Sequence, residues 1–475
     1  MSAPAAPAEA GAPAPLRQIP TVKRILWGLG GVTDCMVMNG LNGLIDQIYT
    51  IAMAVNPQWI GIARSIPRFL DLATDPLIGH LSDNTRSRWG RRKPWMLAGL
   101  ILLALTAVLM WYPPVSLGPV AVGVFIVFML FLLFTVGYAL FTIPYTAMGY
   151  EMSSNSDERT HLFKYRLLGS VAVSFLTPWL NRLCLALEGD QAEKFKGLHG
   201  VHWVSWGAAG IILVSGLMPI LFCKDVTHGH SEQKVSFPQA VRYTMRNRAF
   251  WPLVLGNFLM KSGMCVTGIF FYYLFVYRMA DSMAAGATEW GWFVMSLCVS
   301  TLAGTPLVVW LSERAGKKQT MIGLLALSAV AYASVWWTFR PGLAGWYLVT
   351  GLGIGLFCNT IPMIINSMLA DVCDLDELNT GHRREAFYGA VFVTCDKAAV
   401  AVTLFFQGFL LQASGFNAKL DRQSLETVAT WMKWLLMTQP TGFLLCVVCI
   451  LAYPLTKARL REIRCQIDSR KVVIQ

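Results

Sequence analysis

The sequence predicts an all-α polytopic membrane protein, with twelve transmembrane helices in two pseudo-symmetric six-helix halves. Three observations carry this expectation. Of 475 residues, 55% are hydrophobic and only 14% charged, with a mean hydropathy of +0.50; a soluble domain carries about 25% charged residues. The chain divides into twelve apolar stretches, each near or above the ~20 residues that a helix needs to cross a bilayer. Two short patterns also recur at matching places in the two sets of six.

The stretches run approximately over 25–54, 58–83, 94–113, 118–150, 160–186, 202–223, 250–278, 288–312, 319–339, 343–371, 384–413 and 430–456. Several exceed a straight span, so tilt or extension beyond the bilayer is expected. Basic residues mark every second connection. Arg17, Lys23 and Arg24 precede the first span, and Arg86, Arg88, Arg91, Arg92 and Lys93 follow the second. Arg159, Lys164 and Arg166 surround the start of the fifth, and Arg242, Arg246 and Arg248 precede the seventh. Arg314, Lys317 and Lys318 follow the eighth, and Lys457, Arg459, Arg461 and Arg464 the twelfth. The intervening loops, such as Asn56-Pro57 and Tyr112 to Pro119, carry few or none, while the 187–201 loop carries mixed charges. Clustering of Lys and Arg in inner loops places both termini in the cytoplasm. It also accounts for the net charge of +12 without nucleic acid.

The expected divisions are a disordered cytoplasmic tail at 1–24, a six-helix bundle at 25–223, a cytoplasmic linker at 224–249, a second bundle at 250–456 and a cytoplasmic tail at 457–475. Residues 1–16 are rich in Ala and Pro and lack the apolar core of a signal peptide. Residues 237–248 of the linker read as a basic amphipathic helix on the membrane surface. The eleven cysteines lie mostly within spans, and the Cys446/Cys449 pair reads as packing.

Pro76-Leu-Ile-Gly-His-Leu-Ser-Asp83 in the second span has a counterpart in Pro306-Leu-Val-Val-Trp-Leu-Ser-Glu313 in the eighth, and each precedes a basic loop containing Gly. Thr142-Ile143-Pro144 recurs as Thr360-Ile361-Pro362. Two matches in register indicate duplication, and duplicated halves around a central site are the architecture of alternating access.

Charges inside spans point to function. Arg68, Asp71 and Asp75 share one helix face, three and four residues apart. A carboxylate at mid-membrane costs about 2.5–3.5 kcal/mol, so the group has either a structural ion-pair role or a coupling-cation role. The second is preferred. Repulsion between two carboxylates one turn apart suits either a proton or a sodium ion. Arg68 can partner Asp71, and Pro76 leaves the Leu72 carbonyl without an N–H partner. Lys397 in the eleventh span either reaches this pair or extends toward the inner surface. Asp34 in the first span is a candidate acceptor for solute hydroxyls, with Asn39 and Asn42 either near the ligand or bonded between helices. Lys261 in the seventh span either pairs with Asp34 across a cavity or is structural. Tyr138, Tyr145, Tyr272, Tyr273 and Tyr388 are candidate aromatic faces for a sugar ring. Asp83 with the Arg91–Arg92 loop, Glu313 with Arg314, and the mixed-charge group of Asp371, Arg383 and Glu385 are candidate gating pairs; for the last group a solvated loop is the alternative.

The longer motif Arg68-x-x-Asp71-x-x-x-Asp75-Pro76, with Gly90-Arg91-Arg92-Lys93 and Pro94-Trp95, resembles the glycoside–pentoside–hexuronide:cation symporters. These are the melibiose permease-like branch of the major facilitator superfamily. Asp157-Glu158-Arg159-Thr160, Asp371, Asp374, Arg383, Glu385 and Lys397 extend the resemblance over nearly the whole chain. It implies the major facilitator fold, Asp71 and Asp75 as cation ligands, and Lys397 as the residue coupling cation to solute. It also implies Asp34 and Arg166 as solute contacts. The chain departs from the pattern at Thr74, where the family has a cation-site asparagine, and at Ala139, where it has a threonine. Thr142 and Thr146 stand where the family has a second sugar-binding aspartate and a stacking tryptophan. A galactoside held in the family's way is therefore not expected.

The expected function is symport of a sugar or glycoside with a proton or sodium ion by alternating access. The alternatives are a lipid-like or other cargo on the same fold, or a sensor that no longer transports. No nucleotide loop, nucleophile elbow or metal-ligand cluster suggests an enzyme or a cofactor. The expected partners are a small-molecule solute and membrane lipid, with a monomer in the plasma (inner) membrane.

Overall fold

The computed structural model describes residues 19–152, 156–223, 247–343, 345–380, 385–417, 420 and 422–474. The N-terminal tail up to residue 18 and linker residues 224–246, with most of the expected amphipathic helix, lie outside them. Among the described residues the chain is helical throughout, without a strand. Twelve rods follow one another: α1 (residues 21–52), α2 (Pro57–Asn84), α3 (Lys93–Leu109), α4 (Pro119–Glu151), α5 (residues 156–186), α6 (Gly200–Phe222), α7 (residues 250–279), α8 (Met283–Ala315), α9 (Lys317–Thr338), α10 (Tyr347–Thr380), α11 (Glu385–Ala413) and α12 (Leu425–Leu451). A further helix, α13 (Lys457–Ile474), replaces the plain tail expected there and packs on α10.

Each half builds its own core. One gathers Trp27, Leu100, Phe141 and Ile212, the other Phe250, Phe275, Ile365 and Trp431. This is the twelve-helix, two-half arrangement read from the sequence. The repeats occupy equivalent places. Pro76 and Pro306 lie inside α2 and α8, and Gly90 and Gly316 in the following turns have φ of 102° and 90°, which a side chain disfavours. The Thr-Ile-Pro repeats of α4 and α10 each follow a π-helical stretch, Phe131–Gly137 and Ile354–Cys358. Such stretches widen a turn and often mark working sites.

Among the described residues seven rods are long and apolar enough to cross a membrane by themselves, and α2 is not among them. Its charges are the reason. Asn56 caps it by accepting from the Gln58 N–H at 2.9 Å, and Pro57 opens its first turn. Beyond that, Arg64 and Asp71 turn inward, 9% and 4% exposed, while Phe69, Leu70, Leu77 and Leu81 face outward. The helix is amphipathic and is satisfied only inside the bundle.

The halves meet closely at the end of the bundle away from the chain termini. There α2 runs against α11 through Gly61 and Gly408, a Cβ on Gly408 falling 2.2 Å from the Pro57 carbonyl oxygen. Trp179 of α5 lies edge-on to Trp292 of α8 at 5.2 Å and covers Gly291. Gln47 of α1 accepts from the Tyr272 hydroxyl of α7 at 2.8 Å.

Candidate cation and solute site

Asp71 and Asp75 of α2 converge on a single ammonium. The Lys397 ammonium donates to Asp75 and lies 3.9 Å from Asp71. Arg68 stands 3.5 Å from the same Asp71 oxygen and also donates to the Met38 sulfur at 3.2 Å. The other Asp71 oxygen is buried without a partner. Lys397 therefore bridges two carboxylates from the opposite half. It reaches them because α11 packs along α2, which a linear sequence does not display. A cation entering between Asp71 and Asp75 must displace this ammonium or share its carboxylates.

Thr74 sits between the two acids in sequence, and its hydroxyl donates to the Leu70 carbonyl at 3.1 Å. Ala139 contributes no oxygen, but one turn earlier Thr135 lies against Asp71 and donates to the Pro67 carbonyl at 3.2 Å. Sequence reasoning missed Thr135; the signal was its position four residues before Ala139, on the same helix face.

A second cluster forms on α1, α4 and α5. Arg166 donates to Asp34 at 3.0 Å and to Thr146 at 3.3 Å, and the Tyr138 hydroxyl donates to Asp34. Asp34 and Arg166 stay 21% and 20% exposed. The Thr142 hydroxyl is buried without a partner.

Several expectations need correction. Tyr145 presents no face to a cavity: it is fully buried, stacked on Trp27 at 4.8 Å, and its hydroxyl donates to the Trp27 carbonyl at 2.9 Å. It instead supports Arg166, whose guanidinium lies 5.3 Å from its ring centre. Tyr273 and Tyr388 are fully buried in aromatic packing as well. Lys261 pairs not with Asp34 but with Asp396 at 3.9 Å, to which Asn257 donates at 2.8 Å. Asp396 precedes Lys397, and successive helix positions diverge by about 100°, so one faces α7 and the other α2.

The candidate gating charges pair within their halves. Arg92 donates to Asp83 at 2.7 Å and to Glu151 at 2.8 Å, and Arg91 also donates to Glu151. Lys317 donates to Asp371 at 2.7 Å, in the equivalent place of the second half. Glu313 and Arg314 do not form the expected pair: Arg314 lies over Trp310 at 4.2 Å, and Lys457 donates to the carbonyls of both residues. Arg383 and the Glu385 side chain lie outside the described residues. Among the described residues no three His, Cys, Asp or Glu side chains cluster in a metal-ligating group.

The sequence reading also missed a buried pair between Arg64 and Asp46 at 2.9 Å. The signals were an Asp within the first apolar stretch and an Arg one turn before Arg68. Both residues line a cavity of about 380 Å³ between the halves, with Asn42, Lys261, Trp290 and Gln407.

This architecture agrees with a family match that spans residues 26–457, described as MFS/sugar transport protein. The chain belongs to this family. Similar proteins include an uncharacterized symporter of Synechocystis sp., 26% identical over 94% of this chain and 96% of that one. The isoprimeverose transporter of Lactiplantibacillus pentosus is 24% identical, covering 92% and 90%. A sphingosine-1-phosphate transporter of Xenopus tropicalis is 22% identical, covering 95% and 91%. Among solved structures, a bacterial homologue of the human lysosomal transporter Spinster superposes with a TM-score of 0.63 at 13% identity, covering 94% of this chain and 97% of that one. The likeness to this bacterial homologue shows a shared fold.

Proposed function

We propose that this membrane transporter is a cation-coupled symporter of a sugar or glycoside, working by alternating access. The observation that carries the reading is the Lys397 ammonium held between Asp71 and Asp75. The two carboxylates and the ammonium form a site in which a proton or a sodium ion competes with Lys397, and binding there loosens the contact between α2 and α11. Cation occupancy then biases the packing of the two halves. Two ligands that favour the same state become coupled by that shared bias. In this reading the contacts at the far end describe the inward-facing state, with both termini cytoplasmic, a monomer as the working unit, and the plasma membrane as its place. The similarity to a named isoprimeverose transporter supports a sugar as solute.

The test is accumulation into proteoliposomes under a proton gradient and, separately, a sodium gradient. Asp71→Asn and Asp75→Asn are expected to equilibrate solute without accumulating it. Mutants that accumulate as well as the wild type would make the cluster structural.

A second reading, an amphiphile as cargo, is favoured by one feature. An apolar crevice of about 880 Å³ opens between α7, α11 and α12, lined by Trp251, Phe258, Cys395 and Cys449, with Arg248 among its residues. Uptake of a fluorescent lysophospholipid in the same vesicles, with no sugar moving, would select it.

A further inference from the structure

The Asp46–Arg64 pair has no part in the coupling site. It lies seven residues, about 10 Å, along α2 from Asp71. Taking two charges out of water costs several kcal/mol per ion unless their remaining donors and acceptors are satisfied. Here they are not. Arg64, 9% exposed, bonds Asp46 at 2.9 Å and the Asn42 carbonyl at 3.0 Å, yet its Nε is buried without a partner. The second Asp46 oxygen, Oδ1, is likewise buried without a partner. Buried polar groups are nearly always bonded, and here both members of one pair keep an unused atom. One N–H donor and one carboxylate acceptor are instead left over, on two adjacent side chains that line the cavity between the halves. Trp290 lines the same cavity from the second half, edge-on to Tyr272 at 5.7 Å.

We propose that Asp46 and Arg64 are the specificity clamp for the solute and that the solute is a neutral glycoside. In the solute-bound state two adjacent ring hydroxyls take the unused positions, which are closed to solvent in the conformation described: one donates to Asp46 Oδ1, and the other accepts from Arg64 Nε. The apolar face of the ring lies against Trp290. The charge pattern selects the class. Of the cations that line this cavity, Arg64 is matched by Asp46 and Lys261 by Asp396, so both are neutralised before a solute arrives. An acidic sugar would bring an unmatched charge into a site of low dielectric, whereas hydroxyls bring none. The assignment rests on the sugar-symport reading and gives that reading a substrate class.

The test uses the full chain in proteoliposomes. The probes are methyl β-D-glucopyranoside, methyl β-D-xylopyranoside and methyl β-D-galactopyranoside, their monodeoxy derivatives, and methyl β-D-glucuronide. The wild type is expected to take up at least one neutral glycoside with a KM about 10-fold or more below that of the glucuronide. Removing either clamped hydroxyl from that solute should raise its KM about 10-fold or more, as for a hydrogen bond to a charged group. In Asp46→Asn the parent solute and the derivative lacking the hydroxyl that Asp46 clamps should have similar KM values, while the cation concentration for half-maximal uptake stays that of the wild type. The double variant Asp46→Asn/Arg64→Gln, which leaves no unpaired buried charge, should lose the same discrimination if the single variant fails to insert. A merely structural pair would alter expression or maximal rate without erasing the preference for specific hydroxyls. Retained discrimination in both variants, or a wild type that prefers the glucuronide, overturns the clamp alone. A wild type that moves none of the sugars overturns both the clamp and the symport reading.

Discussion

A single methyl group on α11 should push this carrier out of the conformation described here. Added at Gly408, it would lie 2.2 Å from the Pro57 carbonyl oxygen and 3.1 Å from Gln58 Cα. Ordinary contact begins at 3.4 Å, so the backbones must part by about 1.2 Å (3.4 − 2.2). Pro57 and Gln58 are backbone neighbours in the first turn of α2, and neither can rotate aside as a side chain would. Overpacking of this kind costs about 1–3 kcal/mol. The penalty applies only where the far ends touch, because the proposed alternating access separates α2 and α11 there in the opposite state. Gly408→Ala should therefore shift the equilibrium toward the far-end-open state by about 5- to 150-fold. A cysteine introduced at Asn42, which lines the cavity, reports the shift in an otherwise cysteine-free protein. Its labelling by a membrane-impermeant maleimide from the far side should accelerate by that factor. Gly207→Ala is the control, since a Cβ there meets nothing within 4 Å. An unchanged labelling rate in Gly408→Ala would refute the proposed link between this contact and the access equilibrium.

Two further perturbations address the polar sites. Thr135→Val keeps the shape of a buried side chain and removes the hydroxyl beside Asp71; the cation concentration for half-maximal uptake should rise about 5- to 10-fold, with solute KM unchanged at saturating cation, and an unchanged cation requirement would remove Thr135 from the site. Lys317→Met takes the ammonium from Asp371, which is 1% exposed; the loss should be on the order of 3 kcal/mol, read as a lower melting temperature in detergent. Lys317→Met/Asp371→Leu should recover most of it, and an unshifted melting temperature in the single variant would show that the pair does not stabilise its half.

The partners that were legible in the sequence are those held by helical spacing. Arg68 and Asp71 are three residues apart on one helix, and they meet at 3.5 Å. The Arg92–Asp83 contact is likewise local, across one basic turn. Partners on different helices were a matter of rotation and depth. Lys261, read either as a partner of Asp34 or as structural, meets Asp396, while Tyr145 was expected at the pocket and packs on Trp27. Asp46 and Arg64 were passed over although each is a charge in an apolar stretch, because neither belongs to a motif. Their importance appears only when α1 and α2 lie side by side and a cavity opens next to them.

By itself, the sequence determined that the chain is a duplicated set of membrane helices, because hydropathy, loop charge and repeat spacing are properties of the linear order. It also determined that α2 must turn its charges inward, since lipid offers them no partner. The tertiary structure decided between the two readings of Lys397, placing its ammonium on Asp71 and Asp75, and only it showed which threonine stands beside them and which buried donor and acceptor remain unused. Those relations join residues on different helices, in the case of Asp75 and Lys397 more than three hundred positions apart. They are set by how closely glycine-bearing helices approach and by the face each helix presents, which no local pattern encodes.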